Sequence, residues 1–404
     1  IEGKITILIA SSNNAAFKDT LFKESIDVPF KPDTKHSQLI HDEATGRLPI
    51  LKGCSLTFND CTFDENVNMS SDNNKACVLT FENCIFEKDV IAQDAVMDGK
   101  VRFRNCSFKG DVNFRNTTFK ELADFWMSKF YNKVIFYKTD FESTVVFSST
   151  TFYENVLFTY TLIDKLIILR GTKFKKGLDL SLAIFSGKLS VFDILQKDFK
   201  TVTKYLDNDD YENLVNKSGD IPIKNKRETF RILKKHFETN NNVVESLIFK
   251  VLEKKTLLKE TFYDLVRFNE KFYKEIGFWS FLIGKIRGVF NLFILLLNVI
   301  SNSFGIAYIQ SVLFTLGVGG VFFYLTILHS DKYVFAYNWD WNIVRDNIAG
   351  YANFLIPTHK FDFLGEEFLK TYKLSNWFYV FDMAGRIAVG YGIYQTVQAF
   401  RKFR

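Results

Sequence analysis

Asp382 and Arg386 stand four residues apart inside Trp377–Phe400, a segment otherwise apolar enough to enter a bilayer, and they are the residues in this chain best suited to chemistry. Ionisable groups in such a segment are costly unless they face protein or water. At helical spacing the two can neutralise each other on one face. They are therefore expected either to form a structural pair near the outer interface or to serve a pore or gate. Gln395 and Gln398 complete the pore or gate candidates. On another face Ala384, Ala388, Gly392 and Thr396 form a stripe of small residues, with Gly317 and Gly320 as further helix-packing positions in the preceding apolar segment. Closely packed membrane helices need such residues.

Other constellations carry less. AVGYG, Ala388 to Gly392, has the composition of a potassium-selective filter, whose backbone carbonyls replace water around the ion. A filter needs a crossing helix after it, and too few residues follow Gly392 for one. Cys54, Cys61, Cys77 and Cys84 are paired with six residues between the members of each pair, wider than zinc sites use. Cys61, Cys84 and Cys106 also share one repeat slot, so they are expected to be small, reduced, inward-facing core residues. His329 and His359 stand alone, and no nucleophile–base set, phosphate loop or paired carboxylates occurs at a recognisable spacing. The sequence points to no enzyme, no cofactor and no metal.

The dominant pattern is a repeat. Phe103, Phe114, Phe125, Phe136, Phe147 and Phe158 are spaced by eleven, and Leu169, Leu180 and Val191 continue the series. A second series, Phe108, Phe119, Phe130, Phe141, Phe152, Ile163, Phe174 and Phe185, interleaves so that steps alternate five and six. Val or a relative stands two before the first position and Cys, Ser, Thr or Ala two before the second. Side chains at i−2 and i share a face in a strand, and no helix accommodates this period. Two units supply four faces of one coil, and roughly six coils at ~4.8 Å each give a column on the order of 30 Å long. The 45 phenylalanines and only five prolines fit an aromatic-filled interior rather than disorder.

The unit V-x-F-x-x-[CST]-x-F, seen in VNFRNTTFK (112 to 120) and VVFSSTTFY (145 to 153), resembles the pentapeptide-repeat family. That resemblance covers 54–195 and implies a right-handed quadrilateral β-helix; it says little about function. Residues 1–53 are expected to cap the column. IEGKITILIASS at the start has too short an apolar run and no cleavage pattern for a signal peptide.

A helical hairpin is expected over 196–277. Phe230, Leu233 and Phe237, then Val244, Leu247, Val251, Leu258, Phe262 and Leu265, fall at helical spacing, with Asn240 to Asn242 between the two runs. In 278–305 the run 289 to 300 is apolar but short and follows Lys285 and Arg287, which fits an interfacial amphipathic segment. Residues 306–328 carry no charge and are long enough to cross as a first transmembrane helix; 329–376 form an aromatic-rich outer loop, and 377–404 a second crossing with a basic tail. The fold class is thus mixed: β-solenoid, helical hairpin stalk and two transmembrane helices. Lys271, Lys274, Lys285, Arg287, Arg401, Lys402 and Arg404 flank the crossings and place both termini in the cytoplasm.

RETFRILKKHFE, LLLNVISNSFG, NFLIPTHKFDF and VGYGIYQTVQAFRKF extend the resemblance to bacterial membrane proteins that fuse pentapeptide repeats to a two-helix, ion-channel-like region. The implication is an inner-membrane protein whose partners are the lipid bilayer, copies of itself and an unknown cytoplasmic protein or ligand. Its membrane helices would conduct or perturb, two crossings being too few to enclose a pore without self-association, as in effectors of bacterial antiviral defence; the other implied role is a tethered scaffold. Nucleic-acid mimicry needs an acidic column, but 54–195 holds 17 basic and 18 acidic residues, a net of −1.

Overall fold

In the computed structural model the chain divides into two compact units, Ile1–Asn241 and Asn242–Arg404. The residues described are 14–27, 55–70, 78–196, 198–202, 215, 218–266, 278–330, 341–361 and 363–401. Cys54, Cys77, the opening apolar run, Lys271, Lys274 and the basic tail after Arg401 lie outside them.

The first unit is a four-sided solenoid whose faces are parallel sheets of eight, eight, seven and five strands. Each side is a short strand, and a residue pairs with its equivalent one coil later: Phe81 with Phe103, Phe86 with Phe108, Val112 with Val134, Phe119 with Phe141. The two phenylalanine series thus become four inward columns. Rings in a column stack, with centroids 4.8 Å apart for Phe81 and Phe103 and 4.5 Å for Phe108 and Phe130, while neighbouring columns meet edge to face. Phe103, Phe108, Phe114 and Phe125 are fully buried, and burying each such side chain contributes roughly 1.5–3 kcal/mol.

The small slot does more than leave room. Thr117, Ser128, Thr139, Thr150 and Thr172 donate their hydroxyls to the carbonyls of Ala92, Phe103, Phe114, Phe125 and Phe147, each 25 residues earlier, at 2.6–2.8 Å. Cys84 and Cys106 use thiols in the same way toward Phe58 and Phe81. Cys61, Cys84 and Cys106 are buried core residues, as the repeat slot requires. The residue before the slot turns the corner in the left-handed region: Asn83, Asn105, Met127, Ser149, Gly171 and Asp193 on one edge, Asp94, Asn116, Lys138 and Tyr160 on another. Asn, Asp and Gly suit that conformation; Met127 and Tyr160 adopt it at a cost of about 1–2 kcal/mol.

One boundary moves. Residues 14–27, expected within a cap of 1–53, form three strands in register with 55–68, so Phe17 stacks on Phe58 and Phe22 on Phe63. Among the described residues the column starts at Asn14, and the long interval before Ser55 hid the phase.

Helix α1, Ile223–Thr239, belongs to this unit and closes the end of the column. Phe230, Leu233 and Phe237 are buried, as their spacing predicts. Thr229 Oγ1 accepts from the Leu180 amide at 2.9 Å, His236 Nε2 from the Val191 amide at 3.3 Å, and Asn225 donates to Asp179 at 2.8 Å. These side chains occupy backbone groups that an open sheet edge would leave for another chain.

The second unit contains α2 (Val243–Val266), α3 (Phe278–Asn302), α4 (Tyr308–Leu328), α5 (Trp341–Phe354), α6 (Glu366–Thr371) and α7 (Asn376–Phe400). The two helices expected to pair as a stalk therefore fall in different compact units. On α2 the buried face runs through Ser246, Phe249, Val251, Glu253, Thr256 and Glu260. Of the stripe expected there only Val251 is buried; Val244 and Phe262 are exposed.

Helices α4 and α7 lie antiparallel: Tyr308 meets Phe400, a Cβ on Gly392 would stand 2.4 Å from the Thr315 hydroxyl, and one on Gly385 2.4 Å from the Phe354 ring. The buried face of α7 is Phe378, Asp382, Gly385, Val389, Gly392, Gln395 and Ala399. It shares only Gly392 with the stripe expected from sequence; Ala384, Ala388 and Thr396 are half-buried. Gly317 faces open space, Gly320 touches Tyr351, and Gly319 takes the close contact with Leu355. On the packed face glycines stand against side chains from other elements, Gly392 against Thr315, Gly385 against Phe354 and Gly319 against Leu355.

Segment 278–305 is one continuous helix up to Asn302. It and α4 are the two described helices long and apolar enough to cross a membrane; the expected interfacial run, counted only after Arg287, was half of the helix. Helix α7 is as long as α3 and carries Asp382 and Arg386. The expected outer loop holds α5 and α6, and Tyr351, Phe354, Phe363 and Phe368 pack with Phe323, Ile327 and Phe378.

Candidate functional site

Two polar clusters sit in the helical unit, one toward each end of α7. At the first, the helical rise from Asp382 to Arg386 aligns the pair: Arg386 Nε donates to Asp382 Oδ2 at 2.8 Å. The segment after α5 brings in His359, whose Nε2 lies 2.7 Å from Asp382 Oδ1 and whose Nδ1 lies 2.7 Å from the Ile356 carbonyl. Asp382 is fully buried and His359 nearly so, while a quarter of the Arg386 side chain is exposed. The Arg386 guanidinium lies 4.8 Å over the Phe361 ring, and its Nη2 is buried without a hydrogen-bond partner. A carboxylate in an apolar interior requires such compensation.

The second cluster joins three helices. Asn302 donates to Gln395 Oε1 and, at 3.4 Å, to Gln398 Oε1; Gln395 Nε2 donates to Asn298 at 3.2 Å, and Tyr391 reaches Asn298 and Ser301. Gln310 bridges to the Val299 and Ile300 carbonyls and accepts from Ser303. The Asn302 carbonyl receives the amides of Gly305, Ile306 and Ala307, which fixes the turn between α3 and α4. No formal charge belongs to this cluster, and its core, Ser301, Asn302 and Gln395, is buried.

The four pore or gate candidates thus separate. Asp382 and Arg386 are together; Gln395 and Gln398 are together, ~20 Å farther along α7 at 1.5 Å per residue. AVGYG lies within helix α7, where its carbonyls are committed to helical bonding. His359, Asn298 and Asn302 went unselected: each meets its partner from another element, and local spacing carries no such signal. The segment NFLIPTHKFDF, singled out for its resemblance, contained His359.

On the solenoid, Trp126 and Met127 are exposed, and Tyr131 and Tyr153 stack on the outside at 4.7 Å. Beside Trp126 is a shallow depression lined by Arg104, Leu122, Asp124 and Val146.

A four-sided parallel solenoid joined in one chain to an apolar helical unit defines the architecture. Residues 81–126 match the family described as pentapeptide repeats, in nine copies, which supports the resemblance carried by the repeat's own residues. No curated protein and no solved structure gives a match.

Proposed function

We propose that this is a membrane-associated protein whose helical unit sits in or on a bilayer and, in oligomeric form, conducts ions or perturbs the membrane, while the solenoid binds a cytoplasmic partner. The observation that carries the reading is inverted polarity. The outer faces of α3, α4 and α7 expose Phe290, Phe293, Leu313, Val321, Ile387 and Tyr394, whereas Asp382, Asn302 and Gln395 are buried. Water disfavours that arrangement and hydrocarbon favours it. Trp126, Tyr131 and Tyr153 are the solenoid side chains best suited to a partner, because exposed aromatics dominate interface energetics.

Cytoplasmic termini fit α4 and α7 as the crossings with α3 along the membrane surface. Among the described residues, hydrogen bonds tie α3 to α4 and α7 through Asn298 to Asn302. The α3–α4 turn lies at the same end as Phe400, so a crossing α3 would put Arg287 and Arg401 on opposite sides, against the positive-inside pattern.

Reconstitution of the full chain in liposomes with a conductance and dye-release readout tests the reading; leakage is expected, and none at any protein density excludes it. The tethered scaffold is the second reading, and the complete burial of Asp382 favours it, since a sealed carboxylate meets no passing ion. The scaffold binds vesicles without leakage.

A further inference from the structure

We propose that the solenoid docks side by side on a second copy of itself, the two columns antiparallel, through the face that carries Tyr131 and Tyr153. The column is charged in opposite senses at its two ends. Residues 54–100 hold three basic and nine acidic residues, a net of −6, whereas residues 101–188 hold fourteen and eight, a net of +6. On the tyrosine face this division is laid out coil by coil, because the strands stack in register from Leu21 to Lys173. Asp64, Glu65 and Glu87 follow the early strands, and Lys129, Lys173 and Lys175 lie on or beside the later ones. Lys23, Glu24 and Lys88 leave the early part acidic, and Glu154, beside the later strands, is already paired with Lys176. Near the middle of the face Tyr131 and Tyr153, both exposed, stack at 4.7 Å.

A copy turned end for end matches both halves. With the two-fold axis between the coils of Lys109 and Tyr131, Asp64 and Glu65 of each column stand opposite Lys173 and Lys175 of the other, and the Glu87–Lys109 ion pair faces the tyrosines. The result is an isologous patch with an aromatic centre and charged rims. A parallel copy would set Lys175 on Lys175. An acidic peptide or a nucleic-acid strand suits the later coils but is repelled by the earlier ones. Tyrosines already stacked on each other also leave no gap for a base. Trp126 follows a strand of the adjoining sheet and stays available to the cytoplasmic partner. The pairing deepens the oligomeric form proposed above and rests on that reading for the oligomer alone.

The test uses the full chain in dodecyl maltoside micelles, an equal mixture of nitrogen-14 and nitrogen-15 protein, treated with a carbodiimide that joins carboxyl to amine without a spacer. A link between Glu87 and Lys109, 2.6 Å apart within one chain, shows that the reagent works. Asp64 and Lys175 of one column are separated by about 24 Å at ~4.8 Å per coil. A link from Asp64 or Glu65 to Lys173 or Lys175 therefore arises between copies, and mixed-isotope peptides identify it. That link is expected, and it should fall at least fivefold in about 0.5 M sodium chloride and in Tyr131→Ser with Tyr153→Ser, which alters exposed side chains only. Its absence while the Glu87–Lys109 link forms, or links between copies confined to like coils, overturns the proposal. So does protection of Lys173 and Lys175 by polyglutamate with no link between copies, which assigns the face to an acidic partner. Linked copies that leak nothing from liposomes break the conduction reading alone, and leakage without the link breaks the pairing alone.

Discussion

The solenoid and the helical unit solve the same burial problem in opposite ways. In the solenoid each coil repeats the same few contacts: a ring on a ring, a hydroxyl on a carbonyl 25 residues back, a left-handed corner. Polar groups there are satisfied locally and many times over. In the helical unit two clusters, each built from several elements, hold Asp382, His359, Asn302 and Gln395 away from solvent. Redundancy protects the first design, whereas the second depends on single residues. Repeat stacks behave as sums of nearest-neighbour terms; a buried ionic network does not add in this way.

The sharpest separation comes from removing one member of each. Asp382→Ala strands His359 and Arg386 in an apolar interior and should cost about 3–5 kcal/mol, read as a lower thermal midpoint of the helical unit in detergent. The double replacement Asp382→Leu with His359→Phe should recover part of that loss, because it removes the charges together. Phe125→Ala opens a cavity between Phe103 and Phe147 and should cost about 3 kcal/mol or slightly more. In contrast to Asp382→Ala, its damage should stay near the mutated coil in hydrogen exchange. A global loss of protection after Phe125→Ala would erase the distinction between the units.

Smaller effects sharpen it. Thr150→Val keeps the shape and removes the donor to the Phe125 carbonyl, with an expected cost of about 1–2 kcal/mol in denaturant unfolding. Met127→Gly relieves a left-handed corner at φ 58° and should stabilise by about 0.5–1 kcal/mol; destabilisation there would mean that the exposed methionine packs on something else. The least effect is a pH dependence at the column's end. Burial holds His236 below the ordinary imidazole value of 6.5, and its Nε2 accepts the Val191 amide when neutral. The unfolded chain therefore takes up a proton first as pH falls below 6.5, so this contribution is present above that pH and lost beneath it. His236→Gln should flatten the slope of the solenoid's melting midpoint between pH 7 and 5.

What the sequence disclosed follows the same division. The phenylalanine period survives translation into structure because in-register pairing puts each residue on its own equivalent, as with Phe81, Phe103 and Phe125. Asn14 to Asp27 obey the same rule, yet the interval before Ser55 destroys the phase on which recognition relies. In the helical unit hydropathy located the apolar segments but not their faces. Gly385 opposite Phe354 and His359 opposite Asp382 are pairings between elements, and neither partner marks itself in its own neighbourhood. Asp382 and Arg386 were legible because both lie on one helix.

Because each full coil between Val78 and Phe192 repeats at an even 22 residues, the gene can gain or lose material in that region by whole multiples of 22 codons while every remaining ring, hydroxyl and corner stays in step. The column is therefore a length that recombination can adjust, setting how far an exposed side chain such as Trp126 stands from the helix-capped end without redesigning either.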